Sequence, residues 1–299
     1  MGKIYIGISG WRYVPWRGVF FPEGLTQSRE LEFASRALPS IELNGSFYSL
    51  QRPTSYTAWY DDTPPGFIFS HKGNRYLTHT LRLGDGVDRA LSNVFASGVF
   101  NLREKLGPFL WQLPPNFKFD AERIERFFSL LPHDLEQAQA LALKHEARMK
   151  PDRVALEIDA NHKLRHALEI RNDSFIDPAF VALLRKYKVA LVVADTAGKW
   201  PYYEDVTADF IYIRLHGAEE LYASGYSDEA LDRWANRIRA WSTGGQPDDA
   251  KLISDKSPSA RVSRDVYCYF DNDIKVRAPF DARSLIDKLG LGKGLTLFG

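Results

Sequence analysis

The 299-residue sequence has a single cysteine, no long uncharged apolar run and almost no net charge. With Cys268 alone, the chain forms no intramolecular disulfide and offers no zinc site built from several thiolates. No stretch approaches the roughly 20 apolar residues of a membrane-spanning helix, and the first residues lack the apolar core of a signal peptide. We therefore expect a soluble, cytoplasmic protein with no membrane partner.

The charges are nearly balanced, because 39 Lys and Arg residues face 38 Asp and Glu residues, for a formal net charge of +1. A protein without a long-range basic field is poorly suited to wrapping a phosphate backbone, which argues against a nucleic-acid partner. A local cationic pocket for a small molecule is compatible with this balance. The oligomeric state leaves no signature in the sequence.

Eight short apolar runs, rich in β-branched and aromatic residues, recur along the chain. Runs that are apolar on both faces are typical of parallel strands covered by helices. The predicted strands are 4–9, 40–44, 67–72, 108–113, 166–171, 189–195, 210–216 and 266–271, and amphipathic stretches predict helices over 28–38, 53–61, 87–106, 121–130, 178–187 and 228–241. The alternation predicts one (β/α)8 TIM-type barrel as a single domain over residues 1–299. An open doubly wound sheet is disfavoured, because no glycine fingerprint follows the first strand.

Two segments are longer than ordinary connections. Residues 133–163 predict an extra helix over 135–148, inserted between the fourth and fifth strands. Residues 153–159 alternate in polarity and would suit an additional strand or the true fifth strand, although we favour 166–171 as the fifth. Residues 244–264 are rich in Gly, Pro, Ser and Asp, which predicts a flexible loop before the eighth strand.

Polar side chains alternate with apolar ones near the ends of several predicted strands. Because residues two apart share a face of a strand, the alternation places Glu42 with Asn44, Glu169 with Arg171, and Tyr212 with Arg214 and His216. In TIM barrels the carboxyl ends of the strands form the active face. Burying an unpaired carboxylate or guanidinium costs roughly several kcal/mol, so such groups pair with each other, hold a metal or meet a ligand.

The predicted site therefore contains two groups of residues. The candidates for catalysis are Glu42, Lys72, Glu169, Asp195 and His216. The candidates for ligand contact are Ser9, Trp11, Tyr13, Asn44, Phe47, Tyr48, Arg75, Tyr76, His79, Gln112, Arg171, Arg214, Tyr226 and Asn272. Aromatic faces of this kind suit a sugar ring or a base, and the charged groups fix polar substituents. The alternative is that the charged residues only neutralise one another as an interior ion-pair network.

Several motifs resemble those of a known family. They read IGISGW (6–11), WRGVFFP (16–22), IELNGSFY (41–48), FSHKGNRYLTH (69–79), LGPFLWQLPP (106–115), LEIR (168–171), RLHG (214–217) and YFDND (269–273). In this order they are similar to the YecE-like family, a domain of unknown function. The sequence departs from the family's pattern in two places. Gly45 stands where Ser or another small polar residue is usual, and residues 172–175 read Asn-Asp-Ser-Phe where His-Pro-Ser-Trp is common. The resemblance implies a TIM barrel with a polar pocket and assigns no reaction.

Three functions follow from the residues. The first is metal-free acid–base or hydrolytic chemistry on a small polar or anionic ligand that is sugar-like or phosphorylated. In this hypothesis Glu42 and Glu169 transfer protons. The negative charge of the ligand or of the reaction intermediate is held by Lys72, Arg171, Arg214 and His216. The second is a divalent-metal-dependent isomerase or hydrolase using Glu42, Glu169, Asp195 and His216, which the neighbouring cations oppose. The third is a non-catalytic metabolite-binding protein. We favour the first, without metal or cofactor. Lys72 would also suit a Schiff-base enzyme, although anchoring a carboxylate is the more ordinary role.

Overall fold

The computed structural model describes residues 1–298, and its centre is a closed barrel of parallel strands. The strands are β1 (Ile4–Ser9), β2 (Ser40–Leu43), β3 (Ile68–Lys72), β4 (Leu106–Gln112), β5 (His166–Glu169), β6 (Val189–Asp195), β7 (Phe210–Leu215) and β8 (Asp265–Phe270). Neighbours in sequence pair in order, and β8 pairs with β1, so that Ile4 lies opposite Val266. The predicted TIM-type barrel is confirmed.

Helices follow most of the strands and cover the outside of the barrel. They are α1 (Glu30–Ala37), α2 (Gly45–Tyr48), α3 (Pro53–Asp62), α4 (Val87–Ala96), α5 (Ala121–Leu130), α6 (Leu135–Ala142), α7 (Pro178–Lys186), α8 (Asp228–Ser242) and α9 (Ala278–Lys288). Residues 196–209 join β6 to β7 without a helix, and α9, which the sequence pattern did not predict, packs against α8 and β1. Asp177 and Ser227 cap α7 and α8 by accepting hydrogen bonds from backbone N–H groups. Within residues 1–298 no helix has the length and apolar character needed to cross a bilayer.

Two predicted helices end earlier than expected. The helix predicted over 87–106 stops at Ala96, because Gly98 adopts a left-handed φ of 96° where a side chain would meet the Cα of Pro53. The chain continues as a 3-10 helix over Val99–Lys105. The inserted helix between β4 and β5 is confirmed, but it ends at Ala142 rather than at residue 148. Beyond it, the backbone N–H of Glu146 donates to the side chain of Asn93 at 2.9 Å instead of extending the helix.

The fifth strand is the one favoured from the sequence, since β5 starts at His166. Residues 153–159 form no strand, and Ala155 makes only an isolated bridge with Ser97. The long loop before β8 is also confirmed, because residues 244–264 contain no helix or strand. The carboxylates of Glu204 and Asp205 accept hydrogen bonds from its backbone at Lys251, Ile253 and Ser254. The flexibility of this loop and the single-domain organisation stay predictions.

The apolar core has two parts, one on each face of the barrel wall. Outward-facing strand residues such as Ile41, Trp111 and Leu168 pack against the helices. Inside the barrel, a separate cluster contains Leu110, Ala167, Val192, Tyr212 and Tyr269, all buried. The interior is therefore a packed core rather than a channel, and it forms a floor beneath the polar groups at the carboxyl ends of the strands.

Candidate functional site

A pocket of ≈ 740 Å³ opens at the carboxyl ends of the strands. Ten of the predicted site residues line it: Trp11, Tyr13, Asn44, Phe47, Tyr48, Lys72, Arg75, His79, Gln112 and Arg171. They come from the ends of strands or from the loops that follow β1 to β5, as the barrel geometry requires. A pocket of this size suits a small metabolite.

The floor of the pocket is organised by Arg214, whose guanidinium is fully buried. Its Nη2 lies 2.8 Å from Glu42 Oε1 and 2.8 Å from Asp271 Oδ2, and its Nη1 lies 2.7 Å from Glu169 Oε2. One cation thus binds three carboxylates. Burial opposes ionisation of Glu169, but the charges of Arg171 and Arg214 outweigh it and hold the pKa of that carboxyl well below its ordinary value.

Glu42 has no free oxygen, because every side of its carboxylate accepts a hydrogen bond. Ser9 Oγ donates to Oε1 at 2.8 Å, Tyr212 Oη donates to Oε2 at 2.7 Å, and Arg214 donates to both oxygens. Ser9 and Glu42 are buried beneath the pocket and are not part of its lining. The arrangement matches the ion-pair network that was the alternative interpretation of these charges.

His216 also lies behind the pocket rather than in it. Its Nδ1 is 3.0 Å from Asp271 Oδ2, and its Nε2 is 3.3 Å from Arg214 Nη1. Burial and then the charge of Arg214 lower the pKa of His216, which keeps the ring neutral near pH 7. Its place is beside the carboxylate of Asp271, which reaches the pocket.

Arg171 connects the buried network to the pocket. Its Nε donates to Glu169 at 2.7 Å and its Nη2 donates to Gln112 at 3.0 Å. The guanidinium lies 3.7 Å from the centroid of the Trp200 ring, a cation–π contact that fixes its plane. Arg171 is therefore a pre-oriented cation in the pocket wall.

Lys72 is the one lysine in the lining, and it is only 8 % exposed. Its Nζ lies 4.6 Å from the centroid of the Phe47 ring, and within residues 1–298 no acceptor is in hydrogen-bonding or ion-pairing distance of it. Burial, and then the charge of Arg214, lower the pKa of Lys72 to about 8, although Glu42, Asp271 and Glu169 act in the opposite sense. A substantial part of this lysine is uncharged in mildly alkaline solution.

Asp273 faces the same pocket and has the opposite perturbation. Burial, and then the negative charge of Asp271, raise the pKa of Asp273 to about 6, although a backbone hydrogen bond and the nearby Tyr13 hydroxyl act against the shift. Tyr13 itself donates from its hydroxyl to the carbonyl oxygen of Ser9 at 2.5 Å. Asp273 thus gains and loses a proton close to neutral pH, and neither it nor Asp271 was among the predicted site residues.

The alternation of side chains along β8 accounts for the two missed residues that follow this strand, Asp271 and Asp273. Tyr267 and Tyr269 point into the barrel, so Asp271 and Asp273 continue the inward face, whereas Asn272 has the outward parity. The amide of Asn272 donates to Asp281 at 2.8 Å and to the carbonyl oxygen of Ser224, away from the pocket. Because Tyr269, Asp271 and Asp273 alternate with Phe270 and Asn272, the motif YFDND could have predicted this arrangement.

Three further predicted residues lie outside the lining. Asp195 points to the outside of the barrel, as Leu191 and Val193 do on the same strand. Its carboxyl group forms a hydrogen bond with the hydroxyl of Tyr226, which also accepts a hydrogen bond from the backbone N–H of Gly217. Tyr76 is 46 % exposed and does not line the pocket either. The structure therefore brings together ten predicted residues in the wall and four more in the network beneath it, namely Ser9, Glu42, Glu169 and Arg214, with His216 alongside.

Other lining residues were not predicted as part of the site. They are Gly10, Arg12, Leu43, Gly45, Gln51, Trp59, Tyr222, Asp271 and Asp273. Trp59 comes from α3 and packs edge-on against Trp11 with 5.5 Å between ring centroids, a contact that no strand-end pattern indicates. Tyr222 has a left-handed φ of 65°, which is unusual for a bulky residue.

The residues of the metal hypothesis do not form a metal site. Arg214 occupies the space between Glu42 and Glu169, and Asp195 has the outward parity. In the part of the chain that the structure describes, no group of three or more His, Cys, Asp or Glu side chains is arranged to hold an ion. The donor set proposed from the sequence therefore does not fit a divalent metal.

The fold and the pocket define a TIM-barrel protein with a polar site at the carboxyl ends of its strands. A family model described as protein of unknown function DUF72 matches residues 5–296, so the chain belongs to the DUF72 family, and the resemblance to the YecE-like family is confirmed.

Relatives agree with this assignment. The UPF0759 protein YunF of Bacillus subtilis (strain 168) is 28% identical over 126 residues, and the match covers 40% of this chain and 43% of YunF, less than half of that relative's length. A DUF72 family protein of Thermotoga maritima MSB8 (TM1631) has a similar structure, with a TM-score of 0.70, 24% identity, and coverage of 96% of this chain and 99% of that one. Another, from Enterococcus faecalis V583 (EF0366), has a TM-score of 0.66 and 16% identity, over 97% of this chain and 96% of that one. These likenesses concern the fold.

Proposed function

We propose that the pocket binds a small anionic ligand, sugar-like or phosphorylated, and carries out metal-free acid–base or hydrolytic chemistry on it. The observation that carries this proposal is the ammonium of Lys72, which is buried at the pocket without an acceptor from the described part of the chain. The Nζ is open to the pocket, so an oxygen of an anionic ligand bound there would supply the missing acceptor.

The remaining charges of the wall support an anion rather than a cation. Four cationic side chains, Arg12, Lys72, Arg75 and Arg171, and two acidic ones, Asp271 and Asp273, line the pocket. Asp271 is bound to Arg214 from behind, at 2.8 Å. Trp11, Tyr13, Phe47, Tyr48 and Trp59 add aromatic surface suited to a sugar ring.

We assign the proton transfer to Asp273 rather than to Glu42 or Glu169. A carboxyl whose pKa is near 6 exchanges its proton easily at neutral pH, and burial has raised Asp273 into this range. Glu42 and Glu169 instead hold Arg214 and Arg171 in place. In this proposal they are positioning residues, and Lys72 and Arg171 bind the anion.

The binding part of the proposal is tested by thermal denaturation with inorganic phosphate, ribose 5-phosphate and unphosphorylated ribose. A ligand that binds the folded state raises Tm with its concentration. We expect ribose 5-phosphate to raise Tm more than ribose, and Lys72→Met to remove the difference. The matched control is Lys118→Met, which removes an exposed lysine outside the pocket. Equal effects of ribose and ribose 5-phosphate would contradict an anion site.

The catalytic part is tested by incubating the protein with ribose 5-phosphate and analysing the ligand by NMR. Conversion by the natural protein that is lost in Asp273→Asn, with binding retained, supports proton transfer by Asp273. Recovery of a tightly bound ligand without any change would instead favour the non-catalytic metabolite-binding alternative.

A further inference from the structure

The barrel contains two buried lysines in contrasting environments. Lys105 is 4 % exposed, and its Nζ donates to the carbonyl oxygens of Tyr60 and Thr63, each at 2.6 Å, and to the Thr63 hydroxyl at 3.0 Å. An ammonium has three hydrogens, so all the donors of Lys105 are used. Lys72 has no such acceptor among residues 1–298 and contacts the face of Phe47 instead.

The surroundings of Lys72 favour an uncharged amine. Burial and the guanidinium of Arg214 lower the pKa of Lys72 to about 8. The carboxylates that would oppose this shift are bound by Arg214 itself, at 2.7 to 2.8 Å for the shortest contacts to Glu42, Glu169 and Asp271. A lysine that is desolvated beside another cation is an activated nucleophile, because its lone pair is free at near-neutral pH.

We propose that Lys72 forms a covalent imine with the carbonyl carbon of an anionic aldehyde or ketone bound in the pocket. This inference rests on the proposed function, since the same cations hold the carboxylate or phosphate of the substrate. The geometry that supports it is a buried amine, without an internal acceptor, at the wall of a pocket that also carries Arg171 and Arg75.

The chemical step balances without any further reagent. The neutral Nζ of Lys72 attacks the carbonyl carbon, a C–N bond forms, and a proton passes from nitrogen to oxygen to give a carbinolamine. An acid then protonates the hydroxyl, the C–O bond breaks, and water leaves with formation of a protonated C=N bond. Asp273, with its pKa near 6, is the pocket residue suited to give and later recover that proton. Hydrolysis reverses each step and frees the lysine.

The buried network stabilises the charge of this product. Glu42, Glu169 and Asp271 carry one negative charge more than Arg171 and Arg214 together, when all five are ionised. A protonated imine on Lys72 keeps a positive charge beside these carboxylates, whereas a neutral amine does not. These carboxylates offset part of the cost that burial and Arg214 impose on a positive charge at this position, for the protonated imine as for the ammonium.

The test is reductive trapping with pyruvate and sodium cyanoborohydride, followed by peptide mass spectrometry. Pyruvate is the anionic probe, and methyl pyruvate is the matched neutral one. We expect the pyruvate adduct on Lys72 to exceed that on any other lysine by on the order of tenfold at pH 7.5, because an amine in water is mostly protonated at this pH and the donors of the other buried lysine, Lys105, are all used. With methyl pyruvate this preference for Lys72 should fall.

Lys72→Arg separates the imine from anion binding, because a guanidinium keeps the charge but is not a nucleophile. We expect this variant to lose the pyruvate adduct at position 72, whereas the control Lys118→Arg should keep both the adduct on Lys72 and the rise in Tm caused by inorganic phosphate. Trapping that is spread evenly over surface lysines, or absent from Lys72, overturns the imine proposal. If phosphate still raises Tm in that case, the proposed function stands; if it does not, both fall.

Discussion

Each end of the barrel has an arginine that is held by carboxylates, and it is fully buried at one end and partly exposed at the other. At the carboxyl ends of the strands, Arg214 binds three carboxylates, and Lys72 stands beside them without a partner in the described chain. At the amino ends, Arg165 lies 2.7 Å from Asp265 and 3.4 Å from Asp209, and Lys163 also pairs with Asp209. There both of these cations are held by carboxylates.

A second pocket, of ≈ 500 Å³, lies at the amino end and sharpens the contrast. It is lined by residues that precede β5 to β8, among them Lys163, Arg165, Lys188 and Asp209. It too is cationic, yet Arg165 in its lining is already held by carboxylates and by the Tyr267 hydroxyl at 3.2 Å. Charge alone therefore does not distinguish the ends; the difference is whether a buried charge lacks a partner.

Removing the central arginine of each end should give the largest effects. Arg214→Met leaves the buried carboxylates of Glu42 and Glu169 and the partly exposed one of Asp271 around an apolar side chain, and we expect a loss of about 3–5 kcal/mol in the free energy of unfolding. Arg165→Met should cost about 1–3 kcal/mol, because Arg165 and Asp265 are partly exposed and Lys163 still pairs with Asp209. Urea denaturation at pH 7.5 measures both. Equal losses would mean that the two networks are equivalent.

Acidic residues at the two ends should respond to pH with opposite signs. The pKa of Asp273 is raised to about 6, so its contribution to stability is present below the unfolded value of 3.8 and is lost as the pH rises through 6. Lys163 and Arg165 instead lower the pKa of Asp209 against the effect of burial, so its contribution is present above the unfolded pKa and is lost as the pH falls.

Asp→Asn variants test this difference in sign. At pH 7.5, Asp273→Asn should raise the free energy of unfolding by about 1–2 kcal/mol and Asp209→Asn should lower it by a similar amount. Denaturation from pH 4 to pH 8 should show the gain of Asp273→Asn shrinking as the pH falls from about 6, with little of it left at pH 4. A gain that does not depend on pH would show that the amide packs better, and that the charge is not the cause.

The sequence predicted many of the charged residues that face the interior of the barrel, but it did not predict which of these charges pair with one another. Alternation along β2, β5 and β7 predicted that Glu42, Arg171 and Arg214 face inward, because strand parity is a local property. Applied to β6, the same rule would have excluded Asp195 from the predicted site. Applied to β8 and the residues after it, the rule would have excluded Asn272 and predicted Asp271 and Asp273 instead. Parity does not tell which charges pair, because that depends on side chains up to 172 positions apart, as for Arg214 and Glu42.

Other parts of the site lack any local signal. Trp59 reaches the pocket from α3 through its contact with Trp11, and Trp200 lies under Arg171 from the segment that has no helix. Both contacts are set by how connections fold back over the barrel. The absence of an acceptor for Lys72 is a property of the whole cavity, so the sequence predicted Lys72 as a site residue but favoured anchoring a carboxylate over imine formation for it.

The smallest expected difference concerns backbone strain at each end. Lys188 and Tyr222 both have a left-handed φ, of 55° and 65°, which costs an L-residue about 1–2 kcal/mol. Lys188 follows α7 near the amino-end pocket, where glycine is the usual residue, so Lys188→Gly should stabilise the protein by about 0.5–1 kcal/mol. Tyr222→Gly relieves the same strain but removes a ring that lies 5.3 Å from His216, so its net effect should be zero or a loss. If both variants are stabilised equally in urea denaturation, the Tyr222 ring contributes nothing to the site, and the strain there has no compensating contact.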